Sequence, residues 1–430
     1  LEIDSRRIKK NNLFLTIKGK NNDGIKFISS ALKKGAKYIV SSKVIKKYKK
    51  KTIKVENEVQ FLKKFAELKR AYSLAKIIAI TGSAGKTSLK NLTKDLLQNF
   101  GKTCSSPKSF NNHFGVPISL SNLNNNDKYG VFEIGMSKAG EINNLSKLIQ
   151  PHIGVITNIG EAHIENFKSI EEIAKAKGEI IDNINKNGTI ILNRDDKFFN
   201  YLEKRAKLRK IKIVTFGKNK KSDVYPLKTL KNNNFIRMIV KVKSQNIDLT
   251  IKDINIYNVL ASLAVLKELN LNLTKIVKNF KNYEPTEGRG KVHNIKRYNK
   301  KFKLIDESYN ANPLSVKNAI NKFNSIKKKK LKKYLILGDM LELGVNSKMY
   351  HRDLSKVINS SDIDKVFIKG KKTMFTYKNL NKNKRGNIFQ NDDDIDLILK
   401  NVICNNDYLM VKGSNATGLN ILSKKMIKGF

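Results

Sequence analysis

The stretch Ile77-Ile78-Ala79-Ile80-Thr81-Gly82-Ser83-Ala84-Gly85-Lys86-Thr87-Ser88 decides the fold of this 430-residue chain. Its first half is apolar and typical of a buried β-strand, and the amphipathic segment 89–100 follows it. The order of strand, glycine-flanked turn and helix is that of a phosphate-binding loop. In such a loop, backbone N–H groups and the positive end of the helix surround an anion. The stretch therefore predicts an α/β domain that binds a nucleotide.

The residue types in this loop have chemical roles. We expect Lys86 to reach the terminal phosphates and the Thr87 hydroxyl to hold Mg²⁺. The usual G-x-x-x-x-G-K-[ST] pattern has a glycine where this chain has Ile80, so the loop is the shorter G-x-x-G-K-T form. A glycine-rich helix start without a ligand is the alternative, but the full context favours ATP or GTP. The predicted nucleotide-binding residues of the loop are Thr81, Gly82, Ser83, Ala84, Gly85, Lys86, Thr87 and Ser88.

The composition limits the class of protein. Apolar residues make up 40% of the chain, which argues against disorder. The two cysteines, Cys104 and Cys404, are far apart and outside any C-x-x-C motif, so neither a disulfide framework nor a structural zinc site is indicated. No apolar run approaches the ~20 residues that span a bilayer, and no signal peptide is visible. We expect a cytoplasmic protein without membrane insertion, whose natural N-terminus precedes Leu1.

The formal net charge of +49 raises the question of nucleic-acid binding. The excess is mostly lysine, spread along the whole chain with many Asn and Ile residues, whereas arginine is sparse. Lys, Asn and Ile all have A/T-rich codons, so genomic base composition explains the bias more economically. A nucleic-acid-associated ATPase would also show basic stripes interleaved with aromatic residues, and none is evident. We therefore expect no nucleic-acid partner.

β-like and helical runs alternate along the chain, which predicts βαβ units and mainly parallel sheets. Predicted strands lie at 13–17, 38–40, 77–81, 131–134, 153–158, 189–192, 212–216, 303–306, 334–337, 365–368 and 408–411. Predicted helices lie at 27–34, 59–74, 89–100, 170–184 and 258–269. The segment 284–290 breaks the pattern and is the best linker. We predict domains at 1–75, 76–290 and 291–430.

Three polar residues outside the loop could contribute to its chemistry. Glu133 ends the apolar run 131–134, and His163 follows the run 153–158. A carboxylate at the C-terminal end of a sheet strand, beside a phosphate loop, is well placed to hold Mg²⁺. Taken alone, these two residues are more simply a surface glutamate and a loop histidine, and Lys177 is an ordinary surface lysine.

Longer motifs change this assessment because together they resemble one family, the Mur ligases, and among them the members that add D-alanyl-D-alanine to UDP-N-acetylmuramoyl-tripeptide. The resemblance covers nearly the whole chain. The motifs lie at 4–6, 81–88, 109–117, 133–136, 140–142, 158–163, 174–180, 288–290, 306–313, 337–344 and 412–414. The most selective are Asn111-Asn112-His113-Phe114-Gly115-Val116-Pro117 and Ser308-Tyr309-Asn310-Ala311-Asn312-Pro313.

The resemblance implies an α/β fold of three domains: a small N-terminal α/β domain that binds the UDP-sugar, a central P-loop ATPase with a mainly parallel sheet, and a C-terminal Rossmann-like domain. It implies an ATP-dependent carbon–nitrogen ligase of peptidoglycan biosynthesis, monomeric, with two Mg²⁺ ions. The implied reaction joins D-Ala-D-Ala to UDP-MurNAc-tripeptide through an acyl phosphate. Whether the third residue of the tripeptide is lysine or meso-diaminopimelate stays open.

The resemblance also assigns residues to the reaction and to the nucleotide. The implied catalytic residues are Lys86, Glu133, His163 and Lys177. The implied metal ligands are Thr87 and Glu133 for one ion, His163 for a second, and Lys177, whose position carries a carbamylated lysine in related ligases. A carbamate would turn this cation into an anionic oxygen ligand. The implied nucleotide contacts outside the loop are Asn255, Arg289, Asp306, Tyr309 and Asn310, with Ile254 where the family has a His before the asparagine.

For the other substrate, the implied contacts fall into three groups. The uridine end would be bound by Ser5, Arg6, Lys18, Gly19, Asp23 and Gly24, and the muramoyl-peptide would lie near Asn111, Asn112 and His113. The remaining implied substrate contacts are Asn158, Lys412 and Ser414. The alternatives are a Mur ligase that adds the third amino acid, a folylpolyglutamate-synthase relative, and an inactive binding homologue. The two selective motifs argue against the first two, and the intact Lys86, Glu133 and His163 argue against the third.

Overall fold

The computed structural model describes residues 1–19, 22–231, 235–252, 254–327, 331–389, 391 and 394–428. Within these residues, three β-sheets follow one another along the chain, with three, nine and six strands. This arrangement confirms the predicted α/β fold with three successive α/β units. None of the helices in the described ranges has the length and apolar character to cross a membrane.

The N-terminal unit is a small parallel sheet with two helices. Its elements are β1 (Leu13–Leu15), α1 (Ile28–Lys33), β2 (Tyr38–Ser41), β3 (Thr52–Lys54) and α2 (Glu58–Ala71). The strands pair in the order β1-β2-β3. Successive residues alternate between two apolar clusters: Phe14 packs with α1, whereas Leu15 packs with α2 and with Ile118 of the central unit. The second cluster joins this unit to the next one.

The central unit has nine strands. Its elements are β4 (Lys76–Thr81), α3 (Lys86–Leu97), β5 (Thr103–Ser105), α4 (Gly115–Ser121), β6 (Tyr129–Glu133), α5 (Glu141–Ile149), β7 (Ile153–Ile156), α6 (Ile170–Gly178), β8 (Thr189–Asn193), α7 (Phe199–Leu208), β9 (Lys212–Phe216), β10 (Val224–Lys231), β11 (Ile236–Val242), β12 (Gln245–Ile251), α8 (Ile256–Glu268) and α9 (Val277–Asn282). The order is β12-β11-β10-β9-β8-β7-β4-β6-β5. Strand β4 is thus flanked by β6 and β7, both parallel to it. The carboxyl ends of these three strands meet at one edge, where ligands bind in such sheets.

Apolar helices cover both faces of this sheet, as its unbroken apolar strands require. Ile78 and Ile80 pack against α3 and α8, whereas Ile77 and Ala79 pack against α4 and α5 on the other face. Several details differ from the sequence-based expectation, including β5, which was not predicted, and α6, which ends at Gly178 rather than at 184. Strands β10, β11 and β12 form an antiparallel meander that the analysis did not predict. Helix α3 begins at Lys86, directly after the glycine turn, rather than at position 89.

The C-terminal unit has a six-stranded sheet. Its elements are β13 (Lys291–Arg297), β14 (Lys300–Glu307), α10 (Pro313–Asn324), β15 (Lys333–Gly338), α11 (Ser347–Asn359), β16 (Lys365–Lys369), α12 (Met374–Lys378), β17 (Arg385–Ile388), α13 (Asp394–Asn401), β18 (Tyr408–Lys412) and α14 (Leu419–Lys428). The order is β13-β14-β18-β15-β16-β17. All neighbours are parallel except the β13–β14 hairpin. The carboxyl ends of β14 and β18 carry Glu307 and Lys412 to the side that faces the central unit.

Candidate active site

Two glycines shape the turn between β4 and α3. Gly82 has φ +140°, and a Cβ at this position would collide with the Thr157 hydroxyl. Gly85 has φ +84° and is the N-cap of α3. Both φ values lie where L side chains are strained. The turn therefore leads into the N-terminus of α3, whose free N–H groups favour an anion.

The end of strand β7 holds this turn in place. The Asn158 side chain accepts a hydrogen bond from the Ala84 N–H (2.8 Å) and donates one to the Ala84 carbonyl (3.1 Å). The Thr157 hydroxyl donates to the same carbonyl at 2.7 Å. The Ser83 hydroxyl pairs with the backbone of Gly160. Asn158, which the sequence suggested as a substrate contact, thus directs its polar atoms to the loop backbone, and Thr157 is a loop contact that the analysis did not identify.

Thr87 and Glu133 meet at the centre of the site. The Thr87 hydroxyl donates a 2.6 Å hydrogen bond to Glu133 Oε2, and Asn111 Nδ2 donates to Glu133 Oε1 at 2.7 Å. Glu133 is 1% exposed. The carboxylate therefore stands at the start of α3 with both of its oxygens held by neutral donors.

Two lysines share this region. Lys86 donates from Nζ to the Gly82 carbonyl at 2.7 Å, and burial lowers its pKa while Glu133 opposes the shift. Lys177, on α6, is 1% exposed, and its amine makes no hydrogen bond to another described residue. Burial and the nearby Lys86 charge hold the pKa of Lys177 well below that of a free lysine. A buried amine without a partner is costly, so Lys177 is unusual for a structural lysine.

The C-terminal unit contributes cations and a buried carboxylate. Arg289 donates from Nη2 to the Ser109 hydroxyl (2.8 Å), and its guanidinium lies 4.1 Å from the centre of the Tyr309 ring. Asp306 accepts from the Gly288 N–H at 2.7 Å and from the Ser308 hydroxyl at 2.6 Å, which fixes the linker. Lys412 donates to the Asn310 carbonyl at 2.6 Å, and burial lowers its pKa.

Direct contacts join this unit to the phosphate loop and its neighbours. Asn312 Nδ2 donates to the Ser83 carbonyl at 3.2 Å. His163 has φ +61°, and its Nδ1 lies 2.6 Å from Glu342 Oε2 on the C-terminal unit. The Ser414 hydroxyl accepts from the Leu341 N–H and donates to the Ala311 carbonyl, so it braces the loops of this unit. The edge of the C-terminal sheet is therefore packed against the turn between β4 and α3 and against the loops beside it.

A cleft of about 1280 Å³ lies between the central and C-terminal units. The predicted site residues that line it are Ser83, Ala84, Gly85, Lys86, Thr87, Ser88, Asn111, Asn112, His113, Glu133, His163, Asn255, Arg289, Tyr309, Asn310 and Lys412. The lining does not include Thr81, Gly82, Asn158, Lys177, Asp306 or Ser414. Thr81 and Gly82 belong to the same loop, and the other four lie behind the surface, where Asn158, Asp306 and Ser414 hold cleft-lining segments.

The residues expected at the uridine end lie outside the cleft lining. They cluster instead around two turns of the N-terminal unit. Asp4 caps the turn Ser5–Arg7 and pairs with the exposed Arg6 at 2.8 Å. Lys18 and Asp23 form a β-bridge, and Asp23 caps the turn that starts at Gly24. These residues lie in two separate turns of the N-terminal unit, and none of them lines the cleft beside the phosphate loop.

The side chains at the start of α3 could bind Mg²⁺ only together with a phosphate ligand. Among the described residues, no three His, Cys, Asp or Glu side chains form a cluster that could hold a metal ion. Mg²⁺ is commonly bound by one or two carboxylates together with substrate phosphates. A hydroxyl and a carboxylate at the helix start, as in Thr87 and Glu133, fit that mode.

Protein-family models match almost the whole chain. The model described as Mur ligase middle domain matches residues 80–266, the Mur ligase glutamate ligase domain matches 289–415, and the Mur ligase family catalytic domain matches 1–70. The three matched segments follow the same order as the three sheets.

Full-length relatives and solved structures agree with these matches. The chain is 33% identical to the UDP-N-acetylmuramoyl-tripeptide–D-alanyl-D-alanine ligase of Rickettsia prowazekii, over 97% of this chain and 93% of the relative. It is 36% identical to the enzyme of the same name from Buchnera aphidicola subsp. Acyrthosiphon pisum, over 99% and 92%. MurF from Acinetobacter baumannii superposes with a TM-score of 0.84 at 26% identity, over 99% and 93% of the two chains. MurF ligase from Thermotoga maritima in complex with ADP gives 0.83 at 25%, over 99% and 96%.

Proposed function

The chain belongs to the Mur ligase family, and we infer that it is the ATP-dependent ligase that joins D-alanyl-D-alanine to UDP-N-acetylmuramoyl-tripeptide. The product is the UDP-MurNAc-pentapeptide precursor of peptidoglycan. Relatives of this name align over more than nine-tenths of both chains. The observation that carries the activity is the Thr87–Glu133 pair beside Lys86, at the mouth of a cleft large enough for a nucleotide and a second substrate.

The reaction requires activation of a carboxylate. The terminal carboxylate of the tripeptide is a poor acyl donor because oxide would have to leave. When one of its oxygens attacks the γ-phosphorus of ATP, the bond to the β-phosphate oxygen breaks and ADP leaves. The acyl phosphate that results has phosphate as a good leaving group. The neutral amine of D-Ala-D-Ala then attacks the acyl carbon, the amine loses its proton, and inorganic phosphate departs.

The first step brings two anions together, so the residues of the site must neutralise charge. Lys86 and Arg289 line the cleft beside the phosphate loop and are the cations that we assign to this role. Thr87 and Glu133 would hold one Mg²⁺ and His163 a second, and such ions stabilise the charge on phosphoryl oxygens. The main roles of the side chains are to position the substrates and to neutralise their negative charge. These roles agree with a site built from a loop, cations and one buried carboxylate.

Lys177 is the proposed site of carbamylation. A neutral amine is the form that adds carbon dioxide, and the lowered pKa of Lys177 favours that form. The carbamate would carry two oxygens and a negative charge. It would lie near Lys86, whose charge lowers the pKa of the free amine. Carbamylation would therefore replace a repulsion between two cations with an attraction between a cation and an anion. The modification therefore explains why an unpartnered lysine is buried here.

The remaining substrate contacts are proposed from position. Asn255 lines the cleft as the N-cap of α8, in a place suited to the adenine end. Asn111, Asn112 and His113 line the cleft beside Glu133 and would meet the muramoyl-peptide. Ser5, Arg6, Lys18, Gly19, Asp23 and Gly24 are kept as predictions for the uridine end. The cytoplasmic location and the monomeric state stay predictions.

Product analysis tests this function. The purified chain is incubated with ATP, Mg²⁺, D-Ala-D-Ala and a UDP-MurNAc-tripeptide ending in lysine or in meso-diaminopimelate, and each substrate is omitted in turn. We expect ADP, phosphate and the pentapeptide nucleotide, by mass spectrometry, only in complete reactions. ATP hydrolysis that needs neither substrate, or that is stimulated by single-stranded DNA or RNA, would contradict the assignment.

A further inference from the structure

Lys90 lies one turn beyond Thr87 on helix α3, and it is 1% exposed. Its ammonium donates hydrogen bonds to the carbonyls of Ser106 (2.6 Å) and Lys108 (2.7 Å). Among the described residues no carboxylate pairs with it as an ion pair. Burial lowers the pKa of Lys90 to about 8, with Glu133 opposing the shift. The side chain is therefore a buried cation that holds two backbone carbonyls.

This arrangement is not what the core of the protein requires. Removing a cation from water is costly, and an apolar side chain of similar volume often packs as stably in such a position. What the ammonium supplies, and a methionine would not, is a fixed position for the two carbonyls on either side of Pro107. The value of Lys90 therefore depends on what the segment 106–111 contacts.

The segment 106–111 contacts three side chains of the site, Glu133, Thr87 and Arg289. The Ser106 hydroxyl accepts from the Glu133 N–H at 3.1 Å, and Asn111 Nδ2 donates to the Glu133 carboxylate at 2.7 Å. The Ser109 hydroxyl accepts from Arg289 at 2.8 Å and lies 3.5 Å from the Thr87 hydroxyl. Displacement of the segment would therefore change the surroundings of the carboxylate, the threonine and the arginine together.

The same segment also reaches the N-terminal unit. Phe110 and Phe114 pack in the apolar cluster that contains Leu15 and Leu62, and the Arg7 guanidinium lies 5.0 Å from the centre of the Phe110 ring. Residues 106–114 thus contact all three units of the fold. Lys90 is the charged side chain of α3 that donates hydrogen bonds to the backbone of this junction.

We propose that Lys90 is a positioning residue, which anchors the segment 106–111 so that Asn111 and Ser109 hold Glu133, Thr87 and Arg289 in the arrangement for phosphoryl transfer. The proposal rests on the proposed function. Lys90 acts through the segment and does not touch the nucleotide-binding turn, which is held by Thr157 and Asn158 instead. Loss of Lys90 should therefore impair turnover more than nucleotide binding.

The test compares Lys90→Met with Lys94→Met, a lysine one turn further along α3 whose side chain is 32% exposed and whose amine pairs with Asp95 at 3.2 Å. We expect Lys90→Met to lower kcat by about 100-fold, because small misplacements of a reacting geometry have effects of that order. ADP affinity measured without Mg²⁺ and the midpoint of thermal unfolding should stay close to wild type. Lys90→Gln, which keeps two N–H donors on a side chain one bond shorter, should recover part of the turnover, and Lys94→Met should match wild type.

A double-mutant cycle separates positioning from a merely structural role. Because Lys90 is inferred to act through Asn111, its replacement in an Asn111→Ala background should cost far less turnover than in wild type. Wild-type kcat in Lys90→Met, or fully multiplicative losses in the double variant, would overturn the proposal. So would unfolding of both Lys90→Met and Lys90→Gln at the assay temperature. Failure of the wild-type chain itself to form the pentapeptide would instead contradict the proposed function.

Discussion

The Thr87 hydroxyl and the Glu133 carboxylate, which lie 46 positions apart in the chain, are joined by a 2.6 Å hydrogen bond. The contact exists because α3 starts directly after the turn and β6 is the parallel neighbour of β4. It places an oxygen of each residue at the same point beside the phosphate loop. We propose that this pair is the protein half of a Mg²⁺ site, which the phosphates of ATP would complete.

Replacing Thr87 by valine should remove this half-site with little change of shape. We expect the Mg²⁺-dependent part of ADP affinity to fall about 10–100-fold, whereas Thr87→Ser, which keeps the hydroxyl, should retain most of it. Calorimetric titration of ADP with and without Mg²⁺ measures both. Equal Mg²⁺ dependence in Thr87→Val and wild type would show that the ion is held elsewhere.

Lys86→Ala should abolish ADP release while the fold remains intact. The Nζ atom of Lys86 donates to the Gly82 carbonyl of the loop, and its loss would remove a cation that we propose neutralises the phosphoryl oxygens. We expect turnover to fall by about 10²–10³-fold, as for other single electrostatic groups at a reacting centre. Coupled detection of ADP measures the loss, and circular dichroism checks the fold. Turnover retained by a folded variant would refute the site assignment.

Asn158→Ala distinguishes two roles for one side chain. Its hydrogen bonds to Ala84 indicate that it shapes the phosphate loop. We expect ADP affinity to decrease about tenfold, which corresponds to the loss of one to two hydrogen bonds, while affinity for the UDP-tripeptide, the internal control, is unchanged. The reverse pattern would favour the direct substrate contact that the sequence suggested.

Lys177 should make the enzyme sensitive to acid and to carbon dioxide. Burial and Lys86 lower its pKa, so its amine is uncharged at lower pH than that of a surface lysine and is open to carbamylation. Carbamates decompose when protonated, so turnover should fall after incubation at mildly acidic pH without carbon dioxide and return on addition of bicarbonate.

The lysine variants provide the control for this prediction. Lys177→Gln should be inactive and should not respond to bicarbonate, whereas Lys175→Gln, exposed on the same helix, should behave as wild type. Isotopically labelled bicarbonate should label the wild-type protein in an NMR spectrum and leave Lys177→Gln unlabelled. Full activity of Lys177→Gln would rule out an essential carbamate.

Local pattern was sufficient to predict the elements that position the site. Ile77 to Ile80 are apolar because β4 is covered on both faces, and a glycine turn with Lys86 and Thr87 follows directly. The antiparallel meander β10–β12 was missed, although residues such as Met238 and Val240 are buried in the alternating pattern of strands. The interrupting Pro226 and the polar residues after it weakened that signal.

Contacts between distant segments could not be predicted in the same way. Arg289 and Ser109 are 180 positions apart, and nothing in either local pattern indicates that their side chains meet. The residue type of Lys90 predicts an exposed position, because lysine is seldom fully buried. The structure instead buries this side chain. Its role depends on a loop that returns to α3 only after folding, so the partner carbonyls leave no trace in the sequence around Lys90.

The most direct test of the proposed reaction traces an oxygen atom of the tripeptide carboxylate into the products. The terminal carboxylate of the UDP-MurNAc-tripeptide is labelled with a heavy oxygen isotope and incubated with the wild-type chain, ATP, Mg²⁺ and D-Ala-D-Ala. If the carboxylate attacks the γ-phosphorus, one labelled oxygen must leave with the inorganic phosphate and none with ADP. Mass spectrometry that finds the label in phosphate, in step with pentapeptide formation, is the predicted result. Pentapeptide formed with unlabelled phosphate, or with AMP as the nucleotide product, would contradict it.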